Sequence, residues 1–157
     1  MAKKVDFTVI PKFKMKNVLE YYERSGDIIY ILCKRESPNV FLDTEWINNN
    51  FTMYNAMLFD NELPAVDFAI YDADNNVYGK AYDNTDGNYC IALNDKHDCL
   101  EAEWHLILIH EMIHIWEYVK FGKAGHGANF KRKMNEINKK YGIDVSTTIK
   151  IRYKSTK

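Results

Sequence analysis

Apolar residues recur along this chain with two different periods, and the changes of period divide it into elements. Near the N-terminus, residues 5–10 (VDFTVI) and 27–33 (DIIYILC) are short runs rich in β-branched and aromatic side chains. They predict two strands, with a turn at Ser25-Gly26-Asp27 between them. From Thr44 to Phe59 the spacing becomes helical, with Trp46, Ile47, Met53, Tyr54, Met57 and Leu58 recurring on it. Asp43 or Thr44 can cap its start, and Asn61 to Pro64 ends it. Three further strand-like runs at 66–71, 77–82 and 88–93 are parted by Asp/Asn/Gly clusters. A long apolar helix is expected from Leu100 to about Val119, with Leu106, Ile107, Ile109, Ile113 and Trp116 as its core face. After the break at Gly125-His126-Gly127, a second helix carries Phe130, Met134, Ile137 and Tyr141 and is closed by Gly142. Residues 145–153 read as a final strand. Strands followed by helices predict an α+β domain.

Length and composition narrow the class. With 157 residues, no internal repeat and no Pro/Gly/Ser-rich linker, the chain reads as an N-terminal extension at 1–42 packed on one domain at 43–157. At 46% hydrophobic and 27% charged, with 7 Gly and 3 Pro, it is neither collagenous, low-complexity nor wholly disordered. No run reaches the ~18 apolar residues of a membrane span, and no apolar stretch follows Lys3-Lys4 as a secretory signal requires. Cys33, Cys90 and Cys99 are odd in number and form no C-x-x-C pair, which argues against a disulfide scaffold or a cysteine-built zinc site. Cytoplasmic residence without membrane association is the expectation.

The net charge of −1 conceals an asymmetry. From Lys120 onward there are 11 Lys and Arg against Glu136 and Asp144, a net of +9, on a body of −10. A basic region at 120–157 is a hint of a nucleic-acid partner.

The chemistry lies in the long helix, at His110-Glu111-Met112-Ile113-His114. At ~100° per residue, His110 and His114 stand about 40° apart and one turn along the axis, so both imidazoles can reach one Zn²⁺. Glu111 is then placed to act on a water at the metal as general base. A helix with two buried core histidines would instead leave the charge of Glu111 on an apolar helix without a partner. A catalytic zinc needs a third protein ligand. A metzincin would place Gly and His where this chain has Glu117 and Lys120, which excludes that class. His126, flanked by glycines where the second helix begins, is the first candidate. Glu136, the only acid of that helix, is the alternative. His105 lies about 140° from His110 around the helix and cannot share its metal, and His97 reads as an exposed loop residue.

WHLILIHEMIHIWEY followed by GHGANFKRKMNEINKKYGI resembles the SprT-like metalloprotease family, which includes Spartan. The matching features are the H-E-x-x-H, the His126-Gly127-Ala128-Asn129-Phe130 motif, and Ile137-Asn138. An upstream stretch from Tyr54 to Pro64 is also similar, so the likeness covers about residues 44–150. The resemblance implies a zincin-like metalloprotease domain, with a small antiparallel or mixed sheet packed on helices. It implies His110, His114 and His126 as zinc ligands and Glu111 as the catalytic glutamate. Family members are zinc proteases, the best known of which cut proteins crosslinked to DNA. Many carry a Cys-rich zinc ribbon after this domain, which the present sequence lacks.

These readings lead to a zinc-dependent endopeptidase whose protein substrate lies extended along the strand nearest the active helix, taken as 88–93. The rival is a zinc-stabilised module that binds protein or nucleic acid without hydrolysis. Glu111 separates the two, because a structural site needs no base. Trp46, Trp104 and Trp116 are read as core, Cys90 and Cys99 as inert hydrophobes, and no tyrosine is singled out as an oxyanion donor.

Overall fold

The protein is described by a computed structural model over residues 42–148, apart from positions 85, 86, 98 and 100 and the side chains of 101 and 102. The strands expected at 5–10 and 27–33, the extension they belong to, and the end of the expected final strand lie outside the described residues.

The first described helix, α1 (Thr44–Leu58), starts at Asp43, whose carboxylate accepts the Trp46 N–H at 2.7 Å. It ends where Asp60 and Asn61 turn left-handed (φ 52° and 58°), a conformation that Asp and Asn tolerate. Its inward face is Ile47, Phe51, Tyr54 and Leu58. Trp46, Met53 and Met57 are only half-buried at its margin.

Three strands follow: β1 (Val66–Tyr71), β2 (Gly79–Asn84) and β3 (Asn88–Asn94). Their spatial order is β1-β3-β2, with β1 parallel and β2 antiparallel to β3, so the sheet is mixed. Phe68, Ile91, Leu93 and Gly79 share the face turned to the helices, where Phe51 of α1 meets Phe68 edge-on at 5.2 Å. The buried amide of Asn94 ties down the loop ahead of β2, accepting from Ala73 N and donating to the carbonyls of Ala73 and Val77.

Helix α2 (Glu101–Phe121) runs through the middle of the molecule, mainly against β2 and also against α1 and α3 (Ala128–Tyr141). All five residues expected at its core are buried, and so are Leu108, Met112 and Ile115 on its other sides. A helix enclosed all round needs no polar face. The stripe of α3 differs in one place: Lys133 is buried while Met134 sits at the margin. The Lys133 stem packs inward and its ammonium lies over the rings of Phe59 and Trp116, at 5.2 and 5.5 Å. Gly142 caps α3 at φ 67°. The described part of the expected final strand, 145–148, is irregular, because its backbone is held by side chains rather than by a neighbouring strand.

One expectation about the sheet is overturned. The sequence points to residues 88–93 as the edge strand beside the active helix, but β3 is the central strand. Among the described residues the edge beside α2 is β2, which the weak run GKAYDN did not advertise.

Candidate metal centre

α2 carries His110 and His114 on one face, and the turn between α2 and α3 brings His126 over them. Helix α2 ends as Gly122 adopts φ 72°, reversing the chain. Gly125 and Gly127 need no glycine on the same grounds, since neither has a positive φ nor an atom within 4 Å of where a Cβ would stand. Nε2 of His126 lies 3.2 Å from Nε2 of His114 and 3.2 Å from Nε2 of His110. Among the described residues these are the histidines whose donor atoms gather closely enough to hold a metal ion.

The other ring nitrogens of His110 and His114 are held in place, which settles the tautomers of those two rings. His110 Nδ1 donates to the Ser146 carbonyl at 2.8 Å, and a carbonyl only accepts. His114 Nδ1 donates to Glu117 Oε1 at 3.1 Å. Both Nε2 atoms therefore turn lone pairs into the same space as His126 Nε2, an arrangement that suits a cation. Burial depresses the basicity of all three rings, to about 4 for His110 and, with the neighbouring imidazoles adding to the effect, to about 3 for His114.

The surroundings complete the centre. Phe130 is fully buried, and its ring centroid lies 4.9, 4.8 and 4.9 Å from those of His110, His114 and His126. Asn138 clamps the segment after α3, donating to the Val145 carbonyl and accepting the Val145 N–H, both at 2.8 Å. That clamp places Ser146 against His110. Glu111 is buried, with Oε2 4.0 Å from His110 Nε2, and desolvation raises its pKa to about 8. A cleft of about 270 Å³ opens beside it, lined by Lys80, Ala81, Tyr82, His114, Tyr118 and the 124–125 turn.

The other candidates lie elsewhere. Glu136 is exposed and faces Lys133 at 3.7 Å. His105 is buried and bonded through Nδ1 to the Tyr54 hydroxyl at 2.8 Å. His97 is half-buried rather than exposed, stacked on Tyr78 with ring centroids 4.0 Å apart. Trp104 and Trp116 are core residues as expected, whereas Trp46 lies at its edge. Glu117 and Phe130 were missed as parts of the centre. Glu117 stands one turn beyond His114, a spacing that could have marked it, while Phe130 read as one member of an apolar stripe and as the end of the His126–Phe130 motif, with no role at the centre attached to it.

Sheet, buried helix and convergent imidazoles together define a zincin-like, metalloprotease-like domain. The model of the SprT-like family matches residues 47–152, most of the chain, and the chain belongs to that family. Among curated proteins no match to it is found.

Proposed function

We propose that this domain is a zinc-dependent endopeptidase in which His110, His114 and His126 hold the metal and Glu111 is the general base. The observation that carries the reading is the juxtaposition of three imidazole Nε2 atoms with a buried carboxylate 4.0 Å from one of them. A tetrahedral ion with bonds of ~2.0–2.1 Å would separate its ligand nitrogens by about 3.3 Å, close to the 3.2 Å found here. When bound, zinc supplies Lewis acidity to the scissile carbonyl and to water. Glu111, buried with Oε2 4.0 Å from His110 Nε2, takes the proton of the attacking water and hands it to the leaving amine.

The hydrogen bonds of β2 support a place for the substrate along its outer edge. Asn94 N donates to the Tyr78 carbonyl at 2.9 Å, so Tyr78, Lys80 and Tyr82 turn their backbone groups toward β3. Gly79, Ala81 and Asp83 turn theirs outward, and an extended peptide can pair with them beside Glu111. Recognition through the main chain predicts weak sequence preference.

The test is digestion of an unfolded protein alongside elemental analysis. Glu111→Gln keeps its zinc and loses cleavage, and His126→Ala loses both. Cleavage retained in Glu111→Gln would remove Glu111 from the role of base. Inactive wild-type protein with stoichiometric zinc would favour the non-catalytic module.

DNA is proposed as a partner through the basic region 120–157. Support comes from Lys131, Arg132, Lys139 and Lys140, which are exposed on or near α3. Lys120 and Lys133 are already engaged, by Glu62 at 2.6 Å and by the two aromatic rings respectively.

A further inference from the structure

Strand β2 passes close to the buried acid at Gly79. A Cβ at this position would lie 3.2 Å from Glu111 Cγ, 3.3 Å from Glu111 Oε2 and 3.0 Å from Leu93 Cδ2. Gly79 is not among the residues with positive φ, so the backbone would accept alanine and only the tightness of the space opposes it. Glycine inside a strand weakens it and marks a close approach by another group. Here that group is the side chain of Glu111, enclosed between β2 and the histidines with Oε2 4.0 Å from His110 Nε2. Leu93 and Glu111 are both buried, so a Cβ at 79 would press on both side chains, and substitution at Glu111 separates its share from that of Leu93.

We propose that Gly79 is a positioning residue for Glu111: its bare Cα is what lets the carboxylate stand between the edge strand and the imidazole cluster, where it meets the attacking water. The proposal rests on the peptidase reading above and deepens it. Gly79 also turns its own N–H and C=O to the outer edge of β2, so one residue touches the base on one side and a bound peptide on the other. It thereby sets the distance between scissile bond and base, a distance on which rates depend steeply.

The experiment is a double-substitution cycle on the zinc-loaded protein: Gly79→Ala, Glu111→Asp and the two combined, with kcat, KM, zinc content and Tm measured for each. Gly79→Ala is expected to keep stoichiometric zinc and a KM within about threefold, while kcat falls by about tenfold or more. In the Glu111→Asp background, whose carboxylate already falls short of the position that Gly79 secures, the same change costs less than about threefold. A kcat for Gly79→Ala within threefold of wild type, or an equal loss in both backgrounds, overturns the proposal. Should Gly79→Ala fail to fold, folding of Gly79→Ala combined with Glu111→Ala, which removes the γ carbon, supports the clash and failure of both overturns it. If the wild type cleaves nothing, the peptidase reading fails separately, and stability decides the steric claim. A drop in Tm that largely vanishes in Glu111→Ala supports it, and an equal drop in both backgrounds overturns it.

Discussion

Glu117 accepts a hydrogen bond from Nδ1 of His114, and the same Oε1 accepts the N–H of Gly125 at 3.3 Å. One carboxylate oxygen thus orients a ring of α2 and fastens the turn that carries His126. Glu117→Ala should weaken zinc binding by roughly 10–100-fold, the usual cost of losing a partner behind a metal ligand. Glu117→Gln, which can still accept from both donors, should lose much less. Competition with a chromogenic chelator measures both.

Phe130 is the surface on which the three imidazoles rest. Phe130→Ala should cost about 3–5 kcal/mol of stability in the metal-free protein, through lost burial and the cavity left behind. It should also lower zinc affinity, since the rings lose the packing that fixes them. Phe130→Leu should retain most of both. Thermal unfolding with and without zinc separates the two effects.

The metal-free protein should have a characteristic pH profile. His110 and His114 are held at about 4 and about 3, below the ordinary 6.5, so the folded state binds fewer protons than the unfolded chain. Their contribution to stability is complete above pH 6.5 and is lost as the pH falls toward those values. Glu111 runs the other way: raised from 4.5 to about 8, it favours the folded state below pH 4.5 and loses that contribution as the pH rises through 8. Between 4.5 and 6.5 the two histidines outweigh the one glutamate, and above 6.5 the glutamate acts alone. These groups therefore place a maximum near pH 6.5. Between pH 6.5 and 8, the stability of wild type should fall relative to Glu111→Gln with a slope approaching 1.4 kcal/mol per unit. Denaturant unfolding of the two proteins across pH 5–9, after metal removal, checks the sign.

DNA binding, if carried by the exposed cations, should weaken linearly in log K against log salt. Replacing Lys131, Arg132, Lys139 and Lys140 by Ala should flatten the slope by about 0.9 for each residue that meets a phosphate of duplex DNA. Fluorescence anisotropy at several salt concentrations reads it. A wild-type signal without salt dependence would dispose of the partner.

What was legible in the sequence followed from local geometry. The juxtaposition of His110 and His114 is a property of helical rise and twist, and Asp43 and Gly142 announced the ends they cap. The third group could be narrowed to His126 or Glu136 because few groups of the right chemistry lay downstream, and the convergence of His126 came from the fold. Sheet order was not legible: β3 is central because of pairings between distant segments, and the most strand-like run is no guide to which strand forms an edge. The isolated glycine at 79 was a signal of close approach, but its neighbour Glu111 lies 32 positions away and is reached only through the fold. Lys133 could not be placed inside by pattern alone, since burial of a lysine depends on the two rings that receive it.

The link from His110 to Ser146 has a practical side. A histidine on the central helix depends for its tautomer on a carbonyl beyond the last helix, held there by Asn138. Trimming the protein at the end of that helix would leave the secondary structure intact yet free one imidazole to protonate at the wrong nitrogen. Shortened versions made for crystallisation or inhibitor screening should therefore keep the polypeptide well past residue 146.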